Sequence, residues 1–77
     1  MNKERRKRLE DVITRLTDAK SELEEVQAEE QEAYDNMPEG LQQAEKGETM
    51  QENADDLDSA VSDLEGVIDS LQEILDR

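Results

Sequence analysis

Apolar residues recur at helical spacing through two long segments of the chain. With Leu9 taken as heptad position a, nearly every a and d site of the first segment is apolar. This regular spacing is typical of an amphipathic helix, so it predicts helix one from about residue 3 to 36. The apolar a and d residues are Leu9, Val12, Leu16, Ala19, Leu23, Val26, Ala33 and Met37.

The second segment repeats the pattern with a wider apolar stripe, which includes positions a, d and e. Three apolar positions per heptad indicate a helix buried against more than one neighbour, since a two-stranded coiled coil needs only a and d. Thr49 followed by Glu52 matches a capping box. Helix two is therefore predicted from about residue 49 to 76.

Between the helices lies the sequence "YDNMPEGLQ", residues 34–42, which holds the only tyrosine and the only proline. Pro38 ends helix one, because proline lacks an N–H and disfavours helical backbone at Met37. Residues 37–48 then form a connector of the length that joins two antiparallel helices.

The connector is expected to contain a short helix in "PEGLQQAEK". Asp35 or Asn36 can cap that helix, and Gly47 would be a stop or a kink. Apolar side chains near the turn are expected to close the end of the core, with Asp35 or Glu39 accepting a hydrogen bond from the tyrosine hydroxyl. This apolar turn plug comprises Tyr34, Met37, Pro38 and Leu41, with Met50 beside it.

The wide stripe of helix two exceeds what helix one can cover, and exposed apolar strips of this extent usually indicate association. A chain of 77 residues without cysteine also has a small core. We therefore predict an all-α single domain, residues 1–77, whose antiparallel hairpin forms a homodimeric four-helix bundle. The alternative is that a different protein covers the stripe. The candidate dimer core is Leu57, Val61, Leu64, Ile68, Leu71 and Leu75.

Two polar residues interrupt the predicted core, Glu30 at an a site and Asn53 at a d site. If Met37 and Met50 lie level near the turn, these two residues come within about one helical turn of each other. They either lie in water at the edge of the stripe or form a polar pair that fixes the register.

The charge is strongly acidic and unevenly spread, with 23 acidic and 9 basic residues and a net charge of −14. Residues 1–8 carry five bases and one acid, for a side-chain net of +4, and residues 9–77 carry −18. The acidic body favours a basic protein partner and argues against direct binding to nucleic acid or anionic membranes. No apolar run suggests a signal peptide or a membrane span, so we expect a soluble, cytoplasmic protein.

The basic start lies at a helix N-terminus, where positive charge opposes the helix dipole. Compensation is expected from acids at the neighbouring end of helix two or from the acidic end of helix one in a second copy. The acids at the neighbouring end are Asp69, Glu73 and Asp76.

Catalytic chemistry is not predicted, because the chain has no His, Cys or Trp and no Gly-rich phosphate loop. Residues 55–60, "DDLDSA", fail as a calcium loop, since Val61 and Val67 stand where glycine and glutamate are required. We predict no enzyme activity, no cofactor and no metal site.

The c and f positions of helix two form a different surface, a strip of small residues between acids. It is either a solvated face or a docking strip that a partner's backbone or basic side chains approach closely. The candidate interaction residues are Asp55, Ser59, Ser62, Gly66, Asp69 and Glu73.

Residues 34–42, "EKGETMQE" and "LDSAVSDLEGVIDSLQEI" resemble a group of small acidic helical proteins of phages and prophages of Gram-positive bacteria. The likeness runs from the basic start to Leu75 and is most distinctive at the Tyr-Asp-Asn-x-Pro-Glu-x-Leu-Gln turn. The chain departs from the pattern at Gly40, where another residue is usual, and at Lys46, where arginine is common. The resemblance implies a phage accessory protein that acts by binding, in the cytoplasm of the host, and brings no known activity or functional residues.

Two functional hypotheses follow from these features. The first is a phage-type module whose acidic faces bind a basic protein, with a DNA-mimicking inhibitor as one specific form. The second is a structural or assembly protein that works through its apolar stripe, with the acids serving solubility.

Overall fold

A computed structural model describes all residues, 1–77, and contains three helices: α1 (Lys3–Asp35), α2 (Glu39–Gln42) and α3 (Glu45–Leu75). The all-helical prediction is confirmed. The molecule measures 58 × 15 × 14 Å, because α1 and α3 pack side by side along their lengths. Their directions are opposite, since Arg6 contacts Leu75 at one end while Gln31 contacts Gln51 towards the other. We call the end at Arg6 the open end and the other end the turn end.

Local sequence signals account for the bounds of α1. The side chain of Asn2 caps the helix by accepting a hydrogen bond from the Arg5 N–H at 2.8 Å. At the other end, α1 closes three residues before Pro38, and the Met37 N–H donates to the Tyr34 carbonyl at 3.1 Å. The predicted end at residue 36 is thus correct to within one residue.

The short helix α2 packs against the first turn of α3 by backbone rather than by side chains. A Cβ atom built on Gly47 would lie 2.5 Å from the Leu41 carbonyl oxygen and 2.6 Å from the Gln42 Cα atom. Only glycine permits this approach, and Gly47 is buried. The predicted stop or kink at Gly47 is therefore wrong, because the residue lies inside α3 and serves close packing.

The predicted start of the second long helix is also wrong. α3 begins at Glu45, with Ala44 at the N-cap, and Thr49 already lies in its interior. The Thr49 hydroxyl donates to the Glu45 carbonyl at 3.0 Å and so caps nothing. No side chain caps α2 either, so Asp35 and Asn36 do not have the capping role expected of them.

α1 and α3 meet through heptad positions a and e, which form the seam between them. The residues at these positions are half-buried or buried along both helices, whereas those at d are exposed except Ile74. Ala54 is fully buried and Leu75 is 6% exposed, both at e positions. Of the a and d stripe read from α1, only the a residues pack on α3. The e residues Ile13, Lys20, Gln27 and Tyr34, all half-buried, take the place expected for the d residues.

The two flanks of the seam can be assigned from contacts between the helices. Gln31 and Gln51, both at b positions, hydrogen-bond at 3.4 Å, and Glu10 and Gln72, also at b, line one groove. The b positions of both helices thus share one side. Because b and d lie on opposite sides of the a and e positions of a helix, the d positions share the other side.

The expected turn plug forms only in part. Tyr34 and Met37 are half-buried, but Pro38 is exposed and Leu41 is 53% exposed. Leu41 stays outside because α2 approaches α3 with its carbonyl groups, which leaves the side chain no apolar surface to cover. The Tyr34 hydroxyl has no hydrogen bond and is not buried, so neither Asp35 nor Glu39 serves it.

The packing of Gly47 predicts opposite effects for two equivalent substitutions in α3. Gly47→Ala must displace α2 and should lower the unfolding free energy by about 1–3 kcal/mol. Gly66→Ala meets open space and should raise it by about 0.5–1 kcal/mol. Thermal unfolding followed by circular dichroism measures both. Equal melting temperatures for the two variants would contradict the close contact at Gly47.

Candidate interaction surfaces

A continuous apolar surface runs along the side of the molecule where both helices present their d positions. We call it the d face. Val26 is 47% exposed and Val67 is 49% exposed, so the surface is open to solvent. By the register of the seam, residues of α1 and α3 alternate along it. From the open end to the turn end the d residues are Arg5, Ile74, Val12, Val67, Ala19, Ala60, Val26, Asn53, Ala33 and Lys46.

The d face is edged by the g positions, and their charge changes sign along the molecule. The open half carries Arg8 and Arg15 on α1, which line one groove with Arg5, Leu9, Asp11 and Val12. In the turn half, every charged residue at g is an acid. These acids are Glu22 and Glu29 on α1 and Asp56 and Asp63 on α3, all exposed.

The predicted interaction residues of the second helix lie together on the outer side of α3, away from α1. We call this surface the outer α3 face. All six residues are exposed, and a Cβ atom at Gly66 would meet nothing within 4 Å. The Ser70 hydroxyl donates to the Gly66 carbonyl at 3.0 Å, an ordinary bond within a helix. The face is therefore a regular helical surface that is free to contact another molecule.

The candidate dimer-core residues lie in the seam between α1 and α3. They lie at a and e positions and so contribute to the seam within one chain, half-buried apart from buried Leu75. A pair of helices has no enclosed interior, so side chains between them remain partly accessible. A role of these six residues between two copies stays a prediction, and the d face, which both helices share, was not predicted.

The basic end of α1 is compensated in a way that the sequence did not suggest. The Arg6 guanidinium donates to the Leu75 carbonyl oxygen at the C-terminus of α3. A cation is favourable there because unpaired carbonyls give the end of a helix partial negative charge. None of Asp69, Glu73 or Asp76 forms an ion pair with the basic cluster, since the one ion pair of the chain joins Lys20 to Glu24 at 3.6 Å.

Glu30 and Asn53 lie together at the turn end of the d face. The Asn53 side-chain amide donates to the Glu30 carboxylate at 3.3 Å, in an exposed position, and both residues line a groove with Asp56 and Leu57. The residues therefore form a polar pair at the edge of the stripe, and a role of this pair in fixing the register stays a prediction. Elsewhere, no group of three or more acidic side chains converges on a point where a metal ion could bind.

Compared with protein-family models, curated proteins and solved structures, the chain matches none of them. The resemblance of residues 34–42 to phage proteins therefore stays a prediction. None of the helices combines the length and the apolar character that crossing a bilayer requires.

The position of Glu30 in the seam predicts that Glu30→Leu raises stability. The change replaces a charged group at a half-buried a site with an apolar one, and we expect about 1 kcal/mol, or roughly 4–8 °C in melting temperature. Glu32→Leu, at an exposed c site, is the matched control and should leave the melting temperature nearly unchanged. An unchanged oligomeric state in the Glu30→Leu variant would exclude a role of the Glu30–Asn53 pair in fixing assembly.

Proposed function

We propose that this chain is a phage-type accessory protein that binds a basic protein surface through the carboxylates on its helices. The observation that supports this proposal is that its acidic side chains are exposed and almost all lack an ion pair. Every Asp and Glu except Glu30 is exposed, and only Glu24 takes part in an ion pair. Such a surface keeps nearly all of its negative charge available to a partner.

The shape of the molecule and the distribution of its acids support one specific form of this activity, inhibition of a nucleic-acid-binding protein. The rod is 58 Å long and about 15 Å wide, and it carries carboxylates along its whole length. A duplex likewise presents regularly spaced negative charge on a stiff axis. A basic channel that accepts DNA could therefore accept the rod, and the outer α3 face is the candidate contact.

We also propose that the two long helices act as an antiparallel hairpin that dimerises into a four-helix bundle. The exposed d face supports this, because its valines and alanines gain by leaving water. So does the small interior of one chain, in which only Gly47, Ala54 and Leu75 are buried. A bundle would cover the apolar side and leave the outer faces of all four helices to a partner.

The second candidate function is assembly through the d face itself. In that case a larger structure built from several proteins would cover Val12, Val26 and Val67, and the carboxylates would serve solubility. The exposure of these three valines favours it. The two functions differ in the physical force that holds the partner, so they respond differently to salt.

Salt sensitivity tests the proposed use of the acidic surface. Immobilised protein should capture a basic partner from a Gram-positive host lysate at about 0.05 M salt and lose it by about 0.5 M, because salt screens exposed charges. A variant carrying Asp55→Asn, Asp69→Asn and Glu73→Gln should lose capture at lower salt than a control carrying Glu10→Gln, Asp58→Asn and Glu65→Gln. Capture that survives high salt would instead support assembly through the d face.

Gly66→Arg tests the outer α3 face without altering the fold. The new side chain enters open space, so helicity and melting temperature should stay the same or rise slightly. If a basic partner contacts this strip, the added bulk and positive charge should weaken its binding at least tenfold in a titration. Ala28→Arg, on the outer side of α1, is the control. Equal affinity for the two variants would remove the strip from the proposed site.

A further inference from the structure

We infer that a second copy of this chain covers the d face in an antiparallel orientation, with the open end of each copy against the turn end of the other. The two-fold axis passes close to Ala19, so α1 packs on α1 and α3 packs on α3. This inference rests on the proposed dimer and adds to it the contact surface, the symmetry and the pairs of residues that meet.

The size of the d face suits a copy of the same chain. The pair of helices offers a side 58 Å long and 15 Å wide. That is on the order of the ~800 Å² per partner that a standard protein interface buries. A two-fold contact also requires a surface that complements itself, and the order of apolar and charged residues on the d face meets this condition.

The apolar residues are arranged symmetrically about Ala19. Val12 precedes it by the same number of residues by which Val26 follows it, so each valine of one copy would meet the other valine of its partner. On α3, Val67 and Ala60 lie on either side of the same level. The small residues at the centre, Ala19 and Ala60, allow the helices to approach closely.

The g positions are arranged symmetrically about almost the same point, and they carry opposite charge. Arg15 and Glu22 flank the centre of α1, and Arg8 and Glu29 lie farther out at equal distances from it. In the antiparallel orientation each arginine of one copy lies beside a glutamate of the other. None of these four residues has an ion pair within its own chain, so all are free to pair between chains.

The parallel orientation, with open end on open end, is disfavoured by the same charges. It places α1 of one copy over α3 of the other, so Arg8 would lie beside Arg77 and Glu29 beside Asp56. Like charges at such distances repel. The antiparallel orientation has one repulsive contact, between the two copies of Asp63 at the axis, where exposed side chains can turn away into water.

Disulfide cross-linking tests the position of the axis, since the chain contains no cysteine of its own. Under mild oxidation Ala19→Cys should form a covalent dimer rapidly, because the two copies of residue 19 meet at the axis. Ala28→Cys, on the outer side of the same helix, is the matched control and should remain largely uncoupled. In the parallel orientation both copies of residue 19 lie on diagonally opposed helices, so neither variant should couple.

Charge reversal tests the orientation independently, by the sign of its effect. Arg8→Glu should weaken the dimer about tenfold in sedimentation equilibrium, because it sets a new carboxylate against Glu29 of the other copy, and adding Glu29→Arg should restore the affinity. Lys7→Glu makes the same change of charge one residue away, beside Lys3 and Glu10 on the side opposite the d face. It should alter the affinity far less. A tighter dimer in Arg8→Glu would indicate the parallel orientation and overturn the inference.

Different results would contradict the proposed dimer and its proposed antiparallel orientation. If the unmodified chain sediments as a monomer of 8.8 kDa at every concentration tested, the proposed dimer is wrong and the inference with it. If it sediments as a dimer but Ala19→Cys does not couple, the dimer stands and the antiparallel orientation is wrong. Circular dichroism of each variant confirms that the helices are intact.

Discussion

The contact between positions a and e of α1 and α3 is the interaction on which the rest of this structure depends. Two helices packed side by side can shield only the residues directly between them, so most of the seam is half-buried and very few side chains are fully enclosed. The tightest places are at the two ends. Ala54 is buried near the turn, and Leu75 is buried beside Arg6 at the opposite end. Between them, Lys20 and Gln27 occupy the α1 side of the seam, which limits the apolar area that one chain can remove from water.

Because the seam uses positions a and e, the apolar d positions are exposed to solvent. Each long helix therefore has one side packed against the other helix and one apolar side that faces water. One side holds the chain together, and the other is a d face edged by arginines in one half and by acids in the other. The outer surfaces carry most of the remaining carboxylates without partners. A chain with little apolar material thus separates three surfaces by direction around the helix axis: the internal seam, an exposed apolar side and a charged outer side.

The ends of the helices show how electrostatic conflicts are resolved. A basic cluster at the start of α1 opposes that helix's own dipole, but Arg6 meets the carbonyl end of α3, where positive charge is favourable. The antiparallel packing of the two helices makes this compensation available. Asn2 adds a side-chain cap at the same end of α1. The side chains of Arg5 and Arg8 take part in neither contact and lie instead in the groove beside Leu9 and Val12.

The sequence by itself determined the helical class, the extent of α1, the break before Pro38 and the meeting of Glu30 with Asn53. The first three follow from periodicity and proline chemistry, which are local properties. The meeting of Glu30 with Asn53 follows once Met37 and Met50 are set level near the turn. Only the tertiary structure decided that α1 and α3 pack through their a and e positions, that α3 begins at Glu45 and that Leu41 is exposed to water. The physical reason is that periodicity orients side chains about their own helix axis and does not say which of two apolar flanks a neighbour will cover. The role of Gly47 likewise depends on the backbone carbonyls of α2, which pack against it. The sequence around Gly47 does not indicate this contact.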